Sequence, residues 1–112
     1  MGLTPFTARV ESGKTVTTIA LSGELDLGTV PIFEESLVRV EADGVATIVV
    51  DLDELTFIES LGIHALIAAR ERAFANGRQL LLLGAKPKVR RVFELTGTVF
   101  LLEGADARMF IP

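Results

Sequence analysis

The sequence predicts an α/β domain: a mixed central sheet of four to five strands that opens with an antiparallel hairpin and is packed with three to five helices. Three observations carry this. Short β-branched runs alternate with segments whose apolar residues recur at helical spacing, and that alternation implies parallel strands joined by right-handed crossovers. Between the first two runs lies Glu11-Ser12-Gly13-Lys14, a hairpin loop by length and composition, so the sheet begins antiparallel. The chain has 112 residues, 49% of them apolar and 23% charged, which suits one compact core and a single domain over 1–112.

Residues 6–10 and 16–21 read as the two strands of the hairpin. After Gly23 the pattern turns helical, with Thr29 as cap, Pro31 in the first turn, Val30, Phe33, Leu37 and Val40 on one face, and a stop near Asp43-Gly44. Residues 47–50 form a buried strand ending at Asp51, and 52–59 read as irregular. Ser60 opens a second helix in which Ile63, Leu66, Ile67 and Phe74 share a face, Arg70, Glu71 and Arg72 lie at its polar flank, and Asn76-Gly77 end it. Residues 80–83 form another buried strand. Residues 87–95 form a helix with Val89, Val92 and Phe93 inward and Gly97 after it, and 99–102 a last short strand. The tail to Pro112 carries no clear pattern, and the chain shows no linker, repeat or low-complexity stretch.

Composition removes several classes of function. No cysteine is present, so disulfides and thiolate metal sites are excluded, and His64 as the lone histidine leaves little for zinc; no metal is expected. A net charge of −4 opposes binding through the nucleic-acid backbone, and Lys86, Lys88, Arg90 and Arg91 fit a solvated helix face. The longest apolar runs fall far below the roughly 20 residues that span a bilayer, and the N-terminus lacks a basic region followed by a long apolar one. A cytoplasmic protein without membrane insertion is expected.

Ser60 stands where the outgoing loop of a strand becomes a helix, and such loops at the carboxyl ends of strands are the usual functional surface of an α/β sheet. The plain alternative is that it only caps the helix, a role whose loss costs about 1 kcal/mol. Two neighbours favour more. Gly62 is costly in a first helical turn and is expected to clear bulk beside the hydroxyl, while Ile63 offers no carboxylate to close a capping box, so the free N–H groups stay open to an anion. A phosphate there adds close to two negative charges at the positive end of the helix dipole, which tolerates them. A partner with an acidic or desolvated surface would be repelled by about 3 kcal/mol per charge pair at ~5 Å and an effective dielectric near 20.

Glu24, Asp26, Asp51, Asp53, Glu54 and Glu59 are read as acidic loops at strand ends rather than acid–base pairs. His64 follows Ser60 by four residues, but Ile58-Glu59-Ser60-Leu61-Gly62 lacks the glycine two residues before the serine that a nucleophile elbow needs. No catalytic residue is assigned and an enzyme is not expected.

The stretch Asp51-Leu52-Asp53-Glu54-Leu55-Thr56-Phe57-Ile58-Glu59-Ser60-Leu61-Gly62 closely resembles the signature of STAS-domain anti-sigma-factor antagonists: Asp-Leu, then Leu, then Phe and an apolar residue before Asp-Ser-Ser/Thr-Gly. Ser22-Gly23-Glu24-Leu25-Asp26 is similar to the family's Gly-Glu-Leu-Asp after the second strand, and Pro87, Val89, Phe93, Thr96 and Gly97 match the late helix. The resemblance implies a binding protein without cofactor that engages an ATP-dependent anti-sigma kinase and so frees a sigma factor for transcription. It implies phosphorylation of Ser60 by that kinase, with release, and resetting by a phosphatase. Glu24 and Asp26, with Glu59, Ser60, Leu61 and Gly62, are the implied partner contacts.

Two departures stand out: Glu59 replaces the family's Asp, keeping the charge with a longer reach, and Leu61 replaces the second hydroxyl residue, removing an alternative phosphoacceptor. Two other readings remain open. One is a STAS subunit of an ATPase-driven membrane transport complex that is never phosphorylated. The other is a phosphoacceptor receiver-like domain using Asp51, with Lys86 after a later strand, although the chain lacks the acidic pair that such a domain needs after its first parallel strand.

Overall fold

The computed structural model describes residues 5–102. Its elements in chain order are β1 (Thr7–Glu11), β2 (Val16–Leu25), α1 (Val30–Ala42), β3 (Thr47–Ile58), α2 (Ser60–Ala75), β4 (Gln79–Leu83), α3 (Pro87–Leu95) and a closing 3-10 turn (Val99–Leu102). The strands lie in the order β1-β2-β3-β4, with β1 antiparallel to β2 and the rest parallel. The mixed sheet with an antiparallel opening, packed with three helices, is the one the sequence predicts.

All three helices send side chains into one core cluster against the sheet. Phe33 and Leu37 come from α1, Ile63 and Leu66 from α2, Val89 and Phe93 from α3, and they meet Ile19 and Leu21 of β2 and Ile48 and Val50 of β3. Spacing of three to four in the helices and two in the strands is what puts these residues on inward faces. Glu41 near the end of α1 ties it to α2, its Oε2 accepting from Arg72 Nε at 2.8 Å.

Four sequence expectations are corrected. First, β2 runs on to Leu25, because Gly23 (φ +90°) does not end the strand: a side chain there would stand 2.9 Å from the Phe6 Cα, so the glycine admits the segment before β1. Second, β3 continues through 52–58 instead of becoming irregular. Ala20 pairs with Asp51 but Ser22 with Glu54, and Gly23 with Leu55 but Glu24 with Phe57, so β3 carries one extra residue at each of two bulges. The bulges space its inward residues Leu52, Leu55 and Ile58 by three, which hides the period of two that marks a strand.

Third, Phe74 does not share the inward face of α2 but is 84% exposed. Ala69 and Ala73 take the buried positions in the second half of that helix, and Phe74 is turned away from them. Fourth, residues 99–102 form a 3-10 turn, closed by the Leu101 N–H donating to Thr98 O at 3.0 Å, with Leu101 buried. A four-residue apolar run serves either role.

Candidate functional site

Because β3 outruns β4, whose last residue Leu83 pairs with Asp51, the end of β3 stands beside β2 alone among the strands described. There Glu24 lies opposite Phe57 and Leu25 opposite Ile58, and both strands finish together. The loop leaving β2 (residues 26–29) and the start of α2 therefore meet. Two bonds join them: the Glu59 N–H donates to Leu25 O at 3.2 Å, and the Leu27 N–H donates to Glu59 Oε1 at 3.1 Å.

Glu59, not Ser60, holds the cap position of α2, with extended backbone, and its carbonyl accepts the N–H of Gly62 (2.9 Å) and Ile63 (3.2 Å). Ser60 is the first helical residue. Its side chain is exposed, and among the described residues its hydroxyl makes no hydrogen bond, so it does not serve as a cap. The N–H groups of Ser60 and Leu61 precede the first helical bonds, so an anion on the Ser60 oxygen would stand beside two donors at the positive end of a 16-residue helix.

Gly62 has a different purpose from the one expected. It is buried, and a side-chain carbon there would lie 2.8 Å from Leu25 O and 2.9 Å from Ile58 Cγ1. It brings the first turn of α2 against the end of β2 instead of clearing space in front of the hydroxyl.

Asp26 is half-buried and shapes its own loop. Its Oδ1 accepts the N–H of Gly28 at 3.0 Å and of Thr29 at 3.2 Å. Thr29 is the residue before α1, as expected, but its side chain does not cap the helix: the hydroxyl donates to Glu24 O at 2.7 Å and accepts the Asp26 N–H at 3.0 Å. Glu24 is exposed. The surface around Ser60 thus combines the carboxylates of Glu24 and Glu59 with exposed apolar side chains: Leu27 at 70%, Leu61 at 43% and Phe57 at 37% exposure.

Leu27 and Phe57 are exposed apolar residues at this end of the sheet that the sequence reading did not single out. Leu27 is an apolar residue in a tight loop that no core position requires, and that mismatch is a usable signal. Phe57 is hidden by the bulge, which turns it outward from a run that reads as apolar.

Other sequence candidates fall elsewhere. Asp51 does not end its strand; β3 continues to Ile58, and the Asp51 Oδ1 accepts the Asp53 N–H at 2.9 Å. The receiver-like reading, which needs a carboxylate at the strand's end, loses its geometry. Among the described residues no group of three or more acidic or histidine side chains is placed to hold a metal ion. Arg90 and Arg91 each lie 3.6 Å from a Glu94 oxygen, in keeping with a solvated face on α3. No described helix is long and apolar enough to cross a membrane.

The STAS-domain profile matches residues 7–109. The chain belongs to the STAS-domain family. It is similar to the anti-sigma-B factor antagonist of Staphylococcus aureus (strain NCTC 8325 / PS 47), at 33% identity over 79 residues, 70% of this chain and 73% of that protein. The crystal structure of an anti-sigma factor antagonist from Mycobacterium paratuberculosis superposes with a TM-score of 0.74 at 31% identity, covering 83% of this chain and 79% of that one. The Bacillus cell fate determinant SpoIIAA in its phosphorylated form shares the fold, with a TM-score of 0.69 at 24% identity over 94% of this chain and 96% of that one. In this STAS domain the serine of the signature stretch is the exposed Ser60.

Proposed function

We propose that this STAS domain is an anti-sigma-factor antagonist in the cytoplasm that works by binding, and that Ser60 is its phosphorylation switch. The observation that supports the reading best is the placement of Ser60: an exposed hydroxyl, bonded to nothing among the described residues, at the positive end of α2 and beside the apolar group Leu27, Leu61 and Phe57. The names of the relatives point to an anti-sigma factor as partner. In the unmodified state the partner seats on the apolar group, with Glu24 and Glu59 at its rim, and Asp26 and Gly62 holding the loop and the helix start in place.

The partner is a serine kinase as well as a target. Transfer of the γ-phosphoryl group of ATP to Ser60 Oγ forms a phosphate ester and releases ADP and a proton. The product charge is accommodated by the helix end but repels an acidic or desolvated partner surface by about 3 kcal/mol per charge pair, a hundredfold in affinity. A phosphatase restores the hydroxyl. The test is calorimetric titration of the cognate anti-sigma factor: Ser60→Ala binds like the parent and Ser60→Asp at least tenfold more weakly. Equal binding of the two variants overturns the reading.

A further inference from the structure

Within the loop that leaves β2, the amides of Gly28 and Thr29 bond to the Asp26 carboxylate and the amide of Asp26 bonds to Thr29 Oγ1. These bonds close the loop on itself. The Leu27 amide differs: its partner is Glu59 Oε1, across the gap to the residue just before Ser60. Leu27 is also the most exposed of the apolar side chains around the hydroxyl. The backbone at Leu27 is thus tied to a carboxylate adjacent in sequence to Ser60.

We propose that Glu59 is a latch, holding Leu27 in its docking position while Ser60 is unmodified and releasing it when Ser60 is phosphorylated. This rests on the reading of Ser60 as a phosphoacceptor and adds how the modification reaches beyond its own charge. Two effects drive release. The phosphate dianion and the Glu59 carboxylate sit on successive residues and repel each other. The phosphate also takes the favourable place at the start of α2, next to the Ser60 and Leu61 N–H groups, which the Glu59 charge otherwise shares. The backbone bond from Glu59 N–H to Leu25 O is untouched by either effect, so β2 and the start of α2 stay joined while the Leu27 loop alone loosens.

The experiment is amide hydrogen exchange at Leu27, followed by NMR on the full chain, with phosphoserine incorporated at position 60 during synthesis so that no kinase is needed. In the unmodified chain Leu27 is protected, and phosphoserine raises its exchange rate by about tenfold, the loss of one hydrogen bond to a charged group. Glu59→Ala gives the same rise without phosphate. Glu59→Gln keeps an acceptor and loses the charge, so Leu27 stays protected with and without phosphate; this arm distinguishes a charge-operated latch from a merely structural contact. An unchanged Leu27 rate on phosphorylation, or an equal rise in the Glu59→Gln chain, overturns the latch. The binding titration with Ser60→Ala and Ser60→Asp is separate, so failure of the switch and failure of the latch are told apart.

Discussion

Gly62 packs directly against Leu25: a methyl carbon on the glycine would lie 2.8 Å from the Leu25 carbonyl oxygen, closer than such atoms approach in folded proteins. The contact joins the first turn of α2 to the last residue of β2. The same carbon would lie 2.9 Å from Ile58 Cγ1, in the strand that delivers Ser60.

Gly62→Ala is therefore expected to destabilise the fold. Alanine gains about 1 kcal/mol in helix propensity, but overpacking against a backbone carbonyl costs about 1–3 kcal/mol, so the net loss is up to about 2 kcal/mol. Urea denaturation of the two chains measures it. A more stable variant would show that the start of α2 yields easily.

Ser60→Ala is expected to leave stability within about 0.5 kcal/mol, since the hydroxyl bonds to nothing among the described residues. A serine working as a helix cap would instead lose about 1 kcal/mol. The denaturation midpoint separates the two, and a large loss would return Ser60 to an architectural role.

Leu27→Ser and Leu61→Ser are expected to weaken binding of the anti-sigma partner by about tenfold each, the order found for apolar anchors at interfaces. Leu27→Ser should leave the melting temperature nearly unchanged, because that side chain is 70% exposed, and Leu61→Ser, at 43% exposure, should lower it only slightly. Affinity by calorimetry alongside a thermal melt checks both halves, and unchanged affinity in both would move the docking surface elsewhere.

Two phenylalanines make a control pair for the packing. Phe93→Ala should cost about 3–5 kcal/mol, whereas Phe74→Ala should cost less than about 0.5 kcal/mol. The first side chain is fully buried and the second 84% exposed.

That pair also shows where the sequence was legible. Period alone placed Phe93 correctly, because α3 has one apolar face and Pro87 marks its start. The same period misassigned Phe74, since α2 approaches the rest of the core through Ala69 and Ala73, and small residues carry little hydrophobic signal. The hairpin, the parallel order and the position of Ser60 followed from turn composition and the alternation of element types. What stayed hidden was whatever depended on a contact distant in sequence: the depth of Gly62, set by Leu25, and the hold of Glu59 on Leu27. The two bulges of β3 were hidden for a related reason, because an extra residue against a neighbouring strand has no mark in a chain read by itself.

Those two extra residues fix a length. Between Asp51 and Ile58 the strand must advance seven positions while its partner, from Ala20 to Leu25, advances five, and only that difference aims Ile58 inward with Ser60 two steps later at the rim. A one-residue slip of this stretch against β2 that the bulges do not absorb would turn the side chains that follow to the opposite face. The reach of a modifying enzyme to Ser60 is in this sense a matter of counting: substitutions in the stretch change its chemistry, whereas a slip of one position would carry the hydroxyl away from the surface that makes its charge matter.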